Sequence, residues 1–196
     1  MFFRLKQHSY AEMVEMIVKY LLGGMYMLDA IKNRRACRSF SSREVEDNKI
    51  KEIVEAGLLA PSGMNRQTPI IIVIKDKKTR DQLMKLNAQI MGRDMDTFYG
   101  APVILLVAAH KDGLFTLDGA ATIENMLLEA TNQGLASCWI HRAKEELELE
   151  EGRKILSFTG LNFDDYIGIG HVIVGYPTDG YKTASKIIKE NRVFIK

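Results

Sequence analysis

The sequence contains no run of about 18 apolar residues, no Cys-x-x-Cys pair and no glycine-rich phosphate loop, and each absence removes a class of answer. Without the apolar run, no transmembrane helix and no membrane partner are expected. The stretch 10–22 is broken by Glu12, Glu15 and Lys19, so it does not read as a signal peptide. The two cysteines, Cys37 and Cys138, have no His or Cys nearby at metal-ligand spacing, so no metal is expected. A reduced, cytoplasmic setting is the simpler reading, with a disulfide between them as the alternative. Charge of one sign is also missing. The 27 Lys and Arg stand against 25 Asp and Glu, and the net +2 is too weak to point to nucleic acid. Aromatics are scarce and do not interleave with a basic stretch as a single-strand binding platform requires. No convincing Ser-His-Asp or Cys-His set is present, so no side-chain nucleophile is assigned.

What is there is ordinary for a globular domain. A length of 196 residues suits one sizeable core, and 46% hydrophobic residues argue against disorder. Residues 10–22 put Tyr10, Met13, Val14, Ile17 and Leu21 on one helical face, and Gly23-Gly24 follows as a stop or linker. Helices are expected over 28–35, 50–58, 77–87, 117–133 and 145–158. Strands are expected over 70–74, 103–109, 136–140 and 167–176, with the tail 192–195 as a candidate last strand. The run 70–74 reads as a strand covered on both faces. The helix 117–133 has an apolar surface wide enough for burial on more than one side. The layout is α+β around a single mixed sheet.

Four segments carry chemistry. In Asn33-Arg34-Arg35-Ala36-Cys37-Arg38-Ser39-Phe40, three arginines can converge on one phosphate dianion, since guanidinium forks match phosphate oxygens. With no glycine-rich loop available, such a phosphate would be held by side chains. The same segment also reads as a solvated basic helix end. Ala60-Pro61-Ser62-Gly63-Met64-Asn65-Arg66-Gln67-Thr68-Pro69 is a turn-rich loop before a buried strand. Its Asn65 and Gln67 offer both donors and acceptors, which suits the uracil-like edge of a flavin. A purely structural connection stays open for it. Gly134-Leu135-Ala136-Ser137-Cys138-Trp139-Ile140-His141-Arg142 ends a strand where a flat ring could lie against Trp139 or Ile140. Alternatively, Trp139 is core and His141 surface. Gly168 and Gly170 lie inside an apolar strand rather than at a strand-to-helix turn, so close packing explains them better than a dinucleotide fingerprint. His171 reads as a satisfied sheet residue rather than a base.

In this order and spacing the segments resemble the nitroreductase family from about Leu28 to the C-terminus. Arg34-Arg35-Ala36-Cys37-Arg38-Ser39-Phe40 is similar to the family's Arg-Arg-Ser-x-Arg-x-Phe opening, and Pro61-Ser62-Gly63-Met64-Asn65-Arg66-Gln67 to its Pro-Ser-x-x-Asn-x-Gln loop. Tyr99-Gly100-Ala101-Pro102, Asp118, the 134–140 segment and Val174-Gly175-Tyr176-Pro177 fit as well.

The resemblance implies a nitroreductase-like fold: a central mixed β-sheet flanked by helices in an intertwined homodimer. Residues 1–27 would be a helical extension and 28–196 the cofactor-binding domain. It implies FMN held without a covalent bond, with NADH or NADPH as electron donor and a small oxidised acceptor such as a nitroaromatic or quinone. Arg34, Arg35 and Arg38 would grip the phosphate, joined by Lys186. Pro61, Ser62, Gly63, Asn65 and Gln67 would belong to the loop that reaches the flavin, part of it serving the partner's cofactor. Ile140, His141 and Arg142 would bring backbone groups near N5, and Asn87 would reach the pyrimidine edge. The flavin would carry the chemistry, with no catalytic side chain. The sequence departs from the family pattern at Ala36, where a serine is common. It also departs at Thr68-Pro69-Ile70, which lacks a tryptophan, and at His141-Arg142, where small residues are frequent. A non-catalytic flavin-binding module, or a related enzyme of reductive dehalogenation or flavin breakdown, is the alternative.

Overall fold

Apolar alternation on both faces of two strands dictates the architecture. The computed structural model describes residues 28–111 and 114–196, so the expected helix over 10–22 lies outside the described residues. In chain order the elements are α1 (Asp29–Asn33), α2 (Asp47–Leu58), β1 (Pro69–Ile74), α3 (Lys77–Ile90), β2 (Val103–His110), α4 (Phe115–Asn132), β3 (Ala136–Ile140), α5 (Ala143–Glu148), α6 (Glu150–Ile155) and β4 (Tyr166–Gly175). The strands lie in the order β1-β2-β4-β3. In β2, Ile104, Leu106 and Ala108 enter one core cluster with Leu83 of α3 and Ala143 and Leu147 of α5. Val103, Leu105 and Val107 enter a second with Ile50 and Ile53 of α2 and Ile123, Met126 and Leu127 of α4. The period-2 geometry of a strand makes this division, and the sheet is covered by helices on both sides.

The expected sheet is mixed only through one bridge. All pairings among the four named strands are antiparallel, and parallel pairing is confined to the single bridge Ala36–Ser137 at the outer edge of β3. Here α3 and the α5–α6 pair each return the chain to an antiparallel neighbour, whereas α4 crosses from β2 to β3, which run parallel with β4 between them. The strand β1 is an edge with Val73 exposed, not covered throughout as its apolar run suggested. Leu58, the last residue of α2, is exposed beside Leu59 although the apolar spacing from Ile50 would carry it to the buried face. The polar stretch 145–158 is two short helices and a turn. Residues 192–195 are exposed and irregular, so the expected last strand is absent.

The glycines of β4 do what close packing requires. A Cβ on Gly168 would stand 2.1 Å from the Ala143 carbonyl oxygen, and one on Gly170 would stand 2.3 Å from Trp139 Nε1. A bulge between Val107 and Ala108 leaves Ile169 unpaired between them. Replacing Gly168 by Ala is expected to force α5 off the sheet and cost about 1–3 kcal/mol. An unchanged denaturation midpoint in urea would refute that close approach.

Candidate functional site

The outer edge of β3 is where the sequence's basic segment comes to rest. Cys37 N–H donates to the Ser137 carbonyl at 2.9 Å, and the Ala36–Ser137 bridge fixes the register. The chain after β4 runs alongside: Phe40 bridges Pro177, Thr178 N–H donates to the Ser39 carbonyl, and Arg38 N–H donates to the Tyr181 hydroxyl at 3.1 Å. Both thiols are buried and free. Burial pushes the Cys138 thiol up, opposed by the charges of Arg38 and Arg34.

The three arginines do not act alike. Arg35 donates to the carbonyls of Lys32, Arg34 and Ala184, so its guanidinium is spent on the backbone. That contact also carries the tail with exposed Lys186 past the arginine segment. Arg34 pairs loosely with Glu124 at 3.8 Å. Arg38 is exposed, and its guanidinium makes no ion pair among the described residues. It lines a hollow of about 240 Å³ with Thr97, Tyr99, Trp139, Ile140 and His141. The Thr97 hydroxyl on that wall is buried without a hydrogen-bond partner.

A second hollow of about 600 Å³ shares Met91, Trp139 and His141 with the first. Its other walls include Thr116 and Ala120 of α4, Ile167 and Ile169 of β4, and Arg142. Gly119 makes this possible, because its absent Cβ would lie 2.6 Å from Ile169 and would push α4 away. His141 is exposed and near Trp139, with ring centroids 6.0 Å apart. Arg142 sits in the left-handed region at φ 84° and pairs with Glu145 at 2.6 Å. Burial works to raise the Glu145 pKa, but the Arg142 hydrogen bond, a backbone hydrogen bond and the charges of Arg142 and Lys144 together outweigh it and hold the carboxyl below its usual range. Ile140 is buried. The two hollows share Trp139, with Arg38 and Arg93 lining the first and Arg142 and Lys144 the second. Together they can receive an aromatic ring system bearing an anionic tail.

The Pro61–Gln67 loop is organised but stands elsewhere. It precedes β1, three strand spacings or about 14 Å from β3 across the sheet. Pro61, Asn65 and Gln67 are exposed, and Ser62 and Gly63 half-buried. Met64, Asn65 and Gln67 all have φ above 50°. The loop is held there by Ser62 Oγ accepting from Gln67 N–H at 2.9 Å and by Asp118 accepting from Gly63 N–H at 3.0 Å. Gln67 also donates to Asn65 Oδ1. Within one chain the loop and Arg38 do not meet.

Asn87 stands behind the end of β3 rather than on a hollow wall. Its side chain is fully buried and donates to the His141 carbonyl and Glu146 Oε1, and it lines neither hollow. Helical periodicity carries Asn87 to the inner face of α3, beside Leu83 and Leu86. Sequence reasoning missed Thr97, Met91 and Glu146. The first two lie in an irregular segment after α3 with no motif, and a buried glutamate has no local signature.

Known proteins bear on this arrangement directly. A protein of Archaeoglobus fulgidus, provisionally named NADH dehydrogenase/NAD(P)H nitroreductase, is 29% identical over 78% of this chain and 86% of its own length. An NADPH-dependent oxidoreductase of Staphylococcus aureus N315 is 24% identical over 82% and 68%. The crystal structure of a Bacteroides fragilis nitroreductase with bound FMN superimposes with a TM-score of 0.81 at 26% identity, covering 88% of this chain and all of that one. The profile of the nitroreductase family matches residues 31–176, which include β1 to β4 and the arginine segment, and this chain belongs to that family.

Proposed function

We propose that the two adjacent hollows beside β3 hold FMN at a homodimer interface, in an FMN-dependent oxidoreductase. The observation that carries this is an Arg38 guanidinium with no ion pair among the described residues and an orphaned Thr97 hydroxyl, both on the wall of a hollow backed by Trp139. A buried hydroxyl without a partner is costly, and a polar ligand atom would satisfy it. The donor set therefore fits the group that the Bacteroides fragilis relative binds.

In this reading Arg38 and Arg34 meet the phosphate, with Lys186 joining them from the tail. Arg35 acts mainly by bracing the backbone between them. Trp139 and the segment of Ile140, His141 and Arg142 face the ring. When bound, the flavin would supply the redox chemistry between NADH or NADPH and a small oxidised acceptor such as a nitroaromatic or quinone. The protein excludes bulk water, orients both reactants on one exposed face and supplies positive charge and N–H donors at the ring's edge. His141 and Arg142 narrow that face and add charge, which favours an anionic acceptor.

The second subunit completes the site. Leu59, Met64, Leu114 and Leu117 are each more than half exposed around the Pro61–Gln67 loop, an apolar surface suited to a second copy. That loop, remote from Arg38 in its own chain, would serve the partner's flavin. Division into 1–27 and 28–196 and a cytoplasmic location belong to the same proposal, the latter resting on two free buried thiols. Among the described residues no helix is long and apolar enough to cross a membrane.

The purified protein should be yellow and release FMN on acid treatment. Stoichiometric FAD, or a colourless protein after reconstitution, would overturn the assignment. Anaerobic NADH or NADPH should bleach the bound flavin within one turnover, and double-reciprocal plots should be parallel. A bound flavin that no nicotinamide bleaches would identify a non-catalytic carrier. Arg38→Ala is expected to raise the FMN dissociation constant about ten- to hundredfold, as loss of a charged hydrogen bond does. An unchanged constant would remove Arg38 from the site. Sedimentation over a wide concentration range should show a dimer that loses FMN when it dissociates. An active, flavin-loaded monomer would refute the shared site.

A further inference from the structure

Three polar side chains are buried together where the chain leaves β3. Asn87, Glu146 and His171 each have no exposed surface, and none lines either hollow. They come from α3, α5 and β4. Asn87 Nδ2 donates to Glu146 Oε1 at 2.6 Å. Glu146 Oε2 meets His171 Nε2 at 2.8 Å. The far ends of the chain both grip backbone: Asn87 Nδ2 also donates to the His141 carbonyl at 2.9 Å, and His171 Nδ1 stands 3.4 Å from the Ile140 carbonyl. The Phe98 ring closes over His171, with centroids 5.2 Å apart.

Burying such groups is expensive, and apolar residues of similar volume would stabilise the fold at least as well. The network therefore calls for a reason other than stability, and its two ends supply one. They hold two consecutive carbonyls, those of Ile140 and His141, in the stretch that walls both hollows. The next residue, Arg142, is kept at φ 84° while its own carbonyl accepts from Glu146 N–H at 3.0 Å. A non-glycine residue persists in that region only where its surroundings over-determine it.

We infer that Asn87, Glu146 and His171 are positioning residues for the cofactor, an inference that rests on the FMN reading above. A trans peptide sets its C=O and N–H on opposite sides. With the Ile140 and His141 carbonyls drawn inward, the N–H groups of His141 and Arg142 turn outward to the ring. Fixed donors at that edge favour the negative charge that reduced flavin carries more of than oxidised flavin. The network thus holds the reduced cofactor more tightly than the oxidised one and raises the midpoint potential.

Three variants test this: Asn87→Ala, Glu146→Ala and Glu146→Gln. For each, the measurements are thermal stability, affinity for oxidised FMN and midpoint potential. Glutamine at 146 can still accept from Asn87 and donate to His171, so both backbone grips survive. Asn87→Ala and Glu146→Ala are expected to lower affinity for reduced FMN about tenfold more than for oxidised FMN, about 30 mV in potential for a two-electron couple. Glu146→Gln should keep the wild-type potential. Loss of stability with an unchanged potential in Asn87→Ala would make the network merely structural and overturn the inference. If Glu146→Ala does not fold, Asn87→Ala against Glu146→Gln decides alone. Wild-type protein that binds no FMN would instead overturn the functional reading itself.

Discussion

The antiparallel ladder between β2 and β4 is the constraint on which the rest depends. It runs from Val103 opposite Val174 to His110 opposite Tyr166, and from Val103 to Ala109 every β2 residue is buried. Strands buried on both faces must be apolar on both faces, so two helical layers follow. Polar chemistry is driven to the rims. One rim is the outer edge of β3, where the arginine segment docks. The other is the loop before β1. His171 is the exception within the ladder, and it is tolerated because Glu146 and the Ile140 carbonyl answer both ring nitrogens.

Four of the six positive-φ non-glycine residues among the described residues lie at these two rims, the others being Tyr99 and Asn191. Met64, Asn65 and Gln67 occupy the left-handed region in the loop, and Arg142 occupies it after β3. Each costs about 1–3 kcal/mol relative to ordinary conformations. Hydrogen bonds from the rigid scaffold hold them there: Asp118 from α4 on the loop, Asn87 and the turn of α5 on the other side. Asp118 is the link that makes α4 both a core helix and the loop's anchor.

Much of this was legible without coordinates. The apolar runs at 70–74 and 103–109 and the helical stripe from Ile50 to Gly57 predict their elements because burial imposes a period that local sequence must obey. Gly168 and Gly170 read as close-packing glycines, and both are. The motif segments led to the family because their residue types and order are local properties. Less visible were strand direction, the exposure of Leu58 and the irregular course of 192–195. Each depends on what the segment packs against, not on its composition.

Sequence alone determined the elements, the family and the two rim segments, since residue type, spacing and turn chemistry act within a few positions along the chain. Only the tertiary structure decided which arginine is uncommitted. Arg34, Arg35 and Arg38 are chemically equivalent on paper, and the Ala184 carbonyl, Glu124 and an open hollow distinguish them. Only the fold likewise turned Asn87 from a candidate ligand into one end of a buried network. Its partners Glu146 and His171 lie 59 and 84 positions away along the chain, and burial brings such groups together without leaving a local signal.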